Sequence, residues 1–322
     1  MATTTEQLGK HLAGGGDNLI GAIVMWSLAG FSVPRAAFRE YFDGLGLAKA
    51  VGATPGAVAM ARLSVSDSRT GLKDQLLREV GETKDSLKIA VVHERREVAD
   101  SKVEHAQRSL ITLDKATGEM VLEDEADPVA LRVRARYEQR RTHALTDEVS
   151  TCVVRALTGT RTDPMLAGLR LAGRGGSYFV TPEAMPRLRA LQAWLHENGD
   201  SGTLVTILEV FSNESNLEGA AKVARASLVA ETRSVLNEVR GYVAELGAKD
   251  AEAVVPERVI QTRIKRLDTL TARSTLYASV LGDLREEVMA ELAEAKRAVL
   301  GLSGTKASEL EQKEAELDEA FA

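Results

Sequence analysis

Leu169-Arg170-Leu171-Ala172-Gly173-Arg174-Gly175-Gly176-Ser177-Tyr178-Phe179-Val180-Thr181-Pro182-Glu183 is the stretch on which the fold turns. Two short apolar runs flank a glycine-rich turn, which reads as two paired strands. Thr181-Pro182-Glu183 then caps a helix from about Pro182 to His196, with proline in the first turn. Upstream, residues 129–143 read as a basic helix. Thr146-Asp147-Glu148-Val149 starts another, running to about Leu157, with acids where the helix dipole favours them. Helix, helix, two-stranded wing is the order of a winged helix-turn-helix. The expectation is a winged-helix-like basic segment over 128–211, closed by a strand from Leu204 to Phe211.

Toward the N-terminus, Leu19 to Met25 is apolar on both faces and suits a buried strand. Ser32 before Val33-Pro34 looks like a helix cap, and Ala37, Phe38, Tyr41, Phe42 and Leu45 mark one face of the helix it would start. Leu87–Val92 and Leu110–Leu113 read as strands. Ile111 to Leu122 is the clearest hairpin, with alternating apolar residues around Asp114-Lys115-Ala116-Thr117-Gly118. Its glycine supplies the positive φ such a turn needs. Residues 17–127 are therefore expected to form an α+β domain with a β-hairpin, behind a flexible leader at 1–16.

Beyond Phe211 the pattern changes. Leu228, Leu236, Val239 and Val243 belong to one apolar stripe; Ile260, Ile264, Leu267, Leu281, Leu284, Val288 and Leu292 belong to a second. Steps of three and four with charges between them predict two long helices turning near 247–256. The expectation for 212–302 is a long antiparallel helical hairpin, a coiled coil whose seam meets itself or a second subunit. The last twenty residues, 303–322, form an acidic tail with six acids against two lysines. The fold class expected is α+β, a mixed front followed by this hairpin.

Composition narrows the function classes. Aromatics are 4%, so stacking platforms for bases are scarce. The net charge is −6, which supplies no overall field to gather nucleic acid. The single cysteine, Cys152, excludes an intramolecular disulfide and sits in an apolar run as a small hydrophobe. The longest apolar run, Leu19 to Phe31, is thirteen residues and too short for a span of about twenty. Asp17 directly before it argues against an export signal, and a cytoplasmic location without a membrane is expected. Gly173–Gly176 lacks the Walker pattern, and Gly44-Leu45-Gly46 has Lys49 where a dinucleotide loop needs glycine. Five scattered histidines offer no metal spacing, and no Gly-x-Ser-x-Gly occurs. No catalytic residue, cofactor, metal or small-molecule substrate is read from the sequence.

One chemical signal stands out. Nine arginines face four acids between residues 128 and 175. Arg132, Arg136 and Arg140 are four apart, Arg141 adjoins them, and Arg170 and Arg174 continue the run toward the wing. Guanidinium groups on one face can bind phosphates bidentately. The alternative is that they pair with the acids at Glu123–Asp127 or with an acidic partner.

Trp26-Ser27-Leu28 after a buried strand, the Asp114–Gly118 hairpin, Gly175-Gly176-Ser177-Tyr178-Phe179-Val180 before a capped helix, and a helical C-terminus occur together. The combination resembles a group of uncharacterised bacterial and phage accessory proteins encoded near AAA-type ATPases or in phage genomes. The resemblance implies an accessory role and transfers no catalytic residues. The functional expectation is a non-catalytic interaction or scaffold protein that self-associates or binds a protein partner through its long helices. The alternative is a nucleic-acid-binding adaptor using the arginine-rich segment.

Overall fold

The computed structural model describes residues 19–69, 75–96, 103–160, 163–171, 176–249, 254–281 and 285–302. The leader at 1–16 and the tail at 303–322 lie outside them. The chain divides into two compact units, one of residues 1–30, 41–51 and 150–322, the other of residues 31–40 and 52–149.

The first unit is built on a four-stranded antiparallel sheet. Its strands are β1 (Leu19–Ser27), β8 (Leu169–Arg170), β9 (Ser177–Val180) and β10 (Leu204–Phe211), in the order β10-β1-β9-β8. β1 is central, which explains why Ile20, Ala22 and Val24 are all buried in a run apolar on both faces. Gly21 makes this packing feasible: a Cβ there would lie 2.3 Å from the Val180 carbonyl and 2.5 Å from the Phe179 ring. Helix α5 (Met185–Asn198), entered through a 3-10 turn at Pro182–Ala184, carries Trp194. That indole stacks on Tyr41 at 5.0 Å and meets Phe42 edge-on at 5.8 Å.

Three helices complete this unit: α6 (Glu214–Lys249), α7 (Glu257–Leu281) and α8 (Arg285–Gly301). Each packs on the other two. Their stripes share one hydrophobic cluster with Ile20, Leu169 and Phe179 of the sheet.

The second unit carries the sheet β3 (Gln75–Glu82), β4 (Ser86–Arg96), β5 (Val103–Asp114) and β6 (Met120–Leu122), antiparallel in that order. Leu87, Ile89 and Val91 of β4 and Ile111 and Leu113 of β5 recur at every second residue. Their shared face packs against α2 (Ala57–Ser68) and α3 (Pro128–Thr142). The β5–β6 hairpin has the expected register, Ile111 opposite Leu122 and Leu113 opposite Met120, with Gly118 at φ 69°. A two-stranded ladder, β2 (Ser32–Pro34) with β7 (His143–Leu145), completes the unit. Helices α1 (Arg35–Gly44) and α4 (Thr146–Thr158) each contribute residues to both units.

Two parts of the expected fold class are overturned. The described residues form a mixed α/β protein with three antiparallel sheets, and among them there is neither a wing nor a long two-helix coiled coil. β8 and β9 do not project as a wing, because β9 pairs along β1, Ala22 opposite Val180 and Met25 opposite Ser177. Tyr178, Phe179 and Val180 are all buried, which a solvent-exposed wing does not allow. The predicted second long helix is two helices, α7 and α8. A coiled coil buries a narrow stripe, whereas α7 buries Arg273, Ser274 and Tyr277 besides its apolar seam. Ser32 is also no cap: it lies in β2, opposite Leu145.

Gly21→Ala is expected to destabilise the protein by about 3 kcal/mol, since backbone and ring atoms would have to move. Urea unfolding followed by circular dichroism measures this. Tyr277 gives a second test. Burial pushes its hydroxyl well above the usual value of 10.0. The stability this confers is present below the unfolded pKa and is lost as pH rises past about 10, where only the unfolded chain ionises. Tyr277→Phe should flatten the alkaline limb of stability plotted against pH.

Candidate functional site

The arginine-rich helix α3 starts at Asp127. The Asp127 carboxylate accepts from the backbone N–H groups of Val129 and Ala130 at 2.8 and 3.0 Å, and Pro128 fills the first helical position. Val129, Ala130, Val133 and Tyr137 face the core, and the Tyr137 hydroxyl donates to the Gly118 carbonyl at 2.8 Å.

The six candidate arginines have different fates. Arg132 and Arg136 are exposed, and Arg136 donates to the Gln139 side chain at 2.7 Å. Arg140 is 2% exposed and pairs with Asp67 at 2.6 Å and Asp147 at 3.1 Å. Burial opposes its charge, but Asp67 and Asp147 more than offset that and hold its pKa above the ordinary arginine value. Arg35 donates twice to the Arg140 carbonyl and pairs with Glu148. Arg140 is thus the centre of an internal ion-pair network joining α1, α2, α3 and α4 within the second unit.

Arg141 lies exposed, 3.2 Å from Glu138 and over the Tyr137 ring. Arg134 approaches Glu125 at 3.9 Å, and Arg108 of β5 meets Asp127 at 3.3 Å. The acidic run at 123–127 is therefore consumed in part by nearby arginines. Arg170 is exposed on β8 and belongs to the other unit; Arg174 lies outside the described residues. The four-residue spacing does not place Arg132, Arg136 and Arg140 on one solvent face. Arg140 is turned inward, because Asp67 and Asp147 receive its guanidinium at the end of the helix.

The expected partner seam is buried within the chain. Leu228, Leu236, Val239, Ile260, Ile264, Leu267, Leu281, Val288 and Leu292 belong to one cluster, and Val243 packs on its rim. Leu284 lies outside the described residues.

Among the described residues of that unit, Leu204, Leu208, Val254 and Leu300 are the exposed large apolar side chains, and two of the four share one strand. β10 is an edge strand, and Leu204 and Leu208 on one face of it are 61% and 49% exposed. Across the ladder, Leu208 stands opposite Ile23 and Thr206 opposite Met25. On the outer side, Val205 is occupied at both polar groups: its N–H donates to His196 Nε2 at 3.2 Å and its carbonyl accepts from Gln192 at 2.7 Å. Asn216 donates to the Phe211 carbonyl at 2.8 Å. Glu209 is neutralised by Arg189 of α5. The strand was legible in the sequence, but its edge position was not, since Leu204–Phe211 is as apolar as a central strand.

Residues 19–314 match a family of unknown function, DUF6744, and the chain belongs to it. No curated protein and no solved structure matches the chain. Among the described residues no helix is long and apolar enough to cross a membrane.

Arg140→Met is expected to cost about 1–3 kcal/mol, because partly exposed Asp67 and Asp147 lose the charge-assisted hydrogen bonds of their shared partner. Arg132→Ala and Arg136→Ala should each stay within about 0.5 kcal/mol of the parent, as surface substitutions do. Thermal unfolding of the three variants makes the comparison.

Proposed function

We propose that this chain is a non-catalytic interaction protein that self-associates or docks a protein partner, in keeping with the accessory role that its sequence resemblance implies. The observation that carries this reading is the exposed apolar face of the edge strand β10, where Leu204 and Leu208 stand in solvent beside Met25. A free edge and apolar side chains together form a surface that proteins use for recognition and otherwise protect. The helical bundle packs on the same sheet face further in, against Ile23 and Val210, and its own seam is already filled, so Leu204 and Leu208 lie at the open margin of that face.

A nucleic-acid role has less support. Three of the five arginines of α3 meet carboxylates, at Glu125, Glu138 and the Asp67–Asp147 pair. Arg132 and Arg136 alone offer too few phosphate contacts for tight, strongly salt-dependent binding.

A photocrosslinking residue at position 204 of the full chain, irradiated in expressing cells of the native host, tests the interaction reading. Discrete adducts that vanish with Leu208→Arg support it, whether the second component is the same chain or another protein. No adduct in any growth condition would overturn it. Fluorescence anisotropy with single- and double-stranded oligonucleotides at low salt should show no binding that Arg132→Ala and Arg136→Ala weaken.

A further inference from the structure

We propose that the partner of the β10 edge is β10 of a second copy, paired antiparallel about a two-fold axis through Leu208. This rests on the interaction reading above and names its partner.

In an antiparallel ladder, successive residues alternate between facing the neighbouring strand and facing away from it. Val205, whose N–H and carbonyl meet His196 and Gln192 of α5, faces away from β1. Ile207 and Glu209 share its parity, and the register with β1 is regular from Leu204 to Val210. Their N–H and carbonyl groups therefore point outward. On one side the free edge ends at Val205, plugged by two side chains. On the other it ends at Phe211, whose carbonyl accepts from Asn216. What lies between is a window of two outward residues centred on Leu208.

Such a window is complementary to itself. With Leu208 on the axis, Ile207 of one copy stands opposite Glu209 of the other, and the reverse. Each of these two residue pairs exchanges two N–H to carbonyl bonds. Eight outward groups thus satisfy one another in four bonds, and none is left over. On one sheet face, Leu208 meets its own symmetry mate, with Thr206 and Val210 on either side. On the opposite face Glu209 comes beside Ile207 of the other copy. Its charge is already met by Arg189, so no carboxylate is left facing another without a counter-charge. The plugs at Val205 and Phe211 keep the contact short, which fits a weak, concentration-dependent dimer rather than an obligate one.

The geometry names its own test. The central pair, Leu208 with Leu208, lies between two hydrogen-bonded pairs and so has its Cα atoms about 4.5 Å apart. Two cysteines at that separation can form a disulfide. The native Cys152 is buried, so Leu208→Cys adds a single reactive thiol to the full chain. Treated with diamide, Leu208→Cys should give a covalent dimer on a non-reducing gel. Leu204→Cys and the parent should remain monomeric. In sedimentation velocity the parent should gain mass with concentration. Leu208→Lys, which opposes two like charges on the axis, should remove that gain while circular dichroism stays unchanged. Glu209→Pro deletes one outward donor without touching the ladder to β1 and should also weaken the dimer.

A parent that stays monomeric at every concentration, with no Leu208→Cys dimer, overturns the self-pairing. Adducts to other proteins from position 204 would then leave the interaction reading standing. Self-association that persists in Leu208→Lys, or crosslinks as well through Leu204→Cys, overturns this register.

Discussion

The packing of the first unit depends on two polar side chains that one helix delivers to the backbone of an irregular segment. Arg273 of α7 donates to the Gly168 carbonyl at 2.7 Å and pairs with Glu231 of α6. The Tyr277 hydroxyl, one turn on, lies 2.9 Å from the Ala167 carbonyl and 2.7 Å from that of Phe179. The segment that receives them is unusual. Met165 and Ala167 both adopt positive φ, at 48° and 52°, with nearly no solvent to satisfy their carbonyls. Side chains of L-residues disfavour that region. It persists because surrounding groups over-determine it. Arg187 takes the Met165 carbonyl, Lys49 holds Asp163, and Asp163 accepts the Met165 N–H. Burial that drives the Tyr277 hydroxyl up also strengthens the bonds it makes.

This anchoring explains why the C-terminal helices do not form a free coiled coil. A two-helix hairpin needs only one apolar stripe per helix. Here α7 also faces β8, β9 and the loop before them, and the residues it presents there are polar ones with defined partners. The apolar seam then closes over the remaining surface with α6 and α8. A stripe that in sequence is open to a second subunit is filled inside one chain, while Leu204 and Leu208 at the outer edge of the sheet stay exposed.

The second unit follows a parallel logic with charge in place of carbonyls. A run of arginines reads as a field for phosphates only if the guanidinium groups reach solvent unpaired. Arg140 instead enters the core between Asp67 and Asp147, while Arg134 and Arg141 find carboxylates within a few residues. The acidic stretch ahead of α3 and the cap at Asp127 draw on the same local balance. Nothing in the spacing of Arg132, Arg136 and Arg140 distinguishes the inward one, because Asp67 is 73 residues away in sequence.

Local periodicity and turn chemistry determined much on their own. The alternation around Asp114–Gly118 defined the hairpin, the apolar run at Leu19–Met25 defined a buried strand, and β10 spans the Leu204–Phe211 predicted for it. These signals are set by the pleat, the helical turn and the positive φ of glycine, and they need no distant partner. Tertiary structure alone decided which strand pairs with which, which arginine is buried, and where the exposed apolar surface lies. Ser177–Val180 looks the same as a strand of a wing and as an inner strand until β1, some 155 residues earlier, is laid beside it. Neighbours that far apart are chosen by the packing of whole elements, and that choice leaves no periodic trace in the chain.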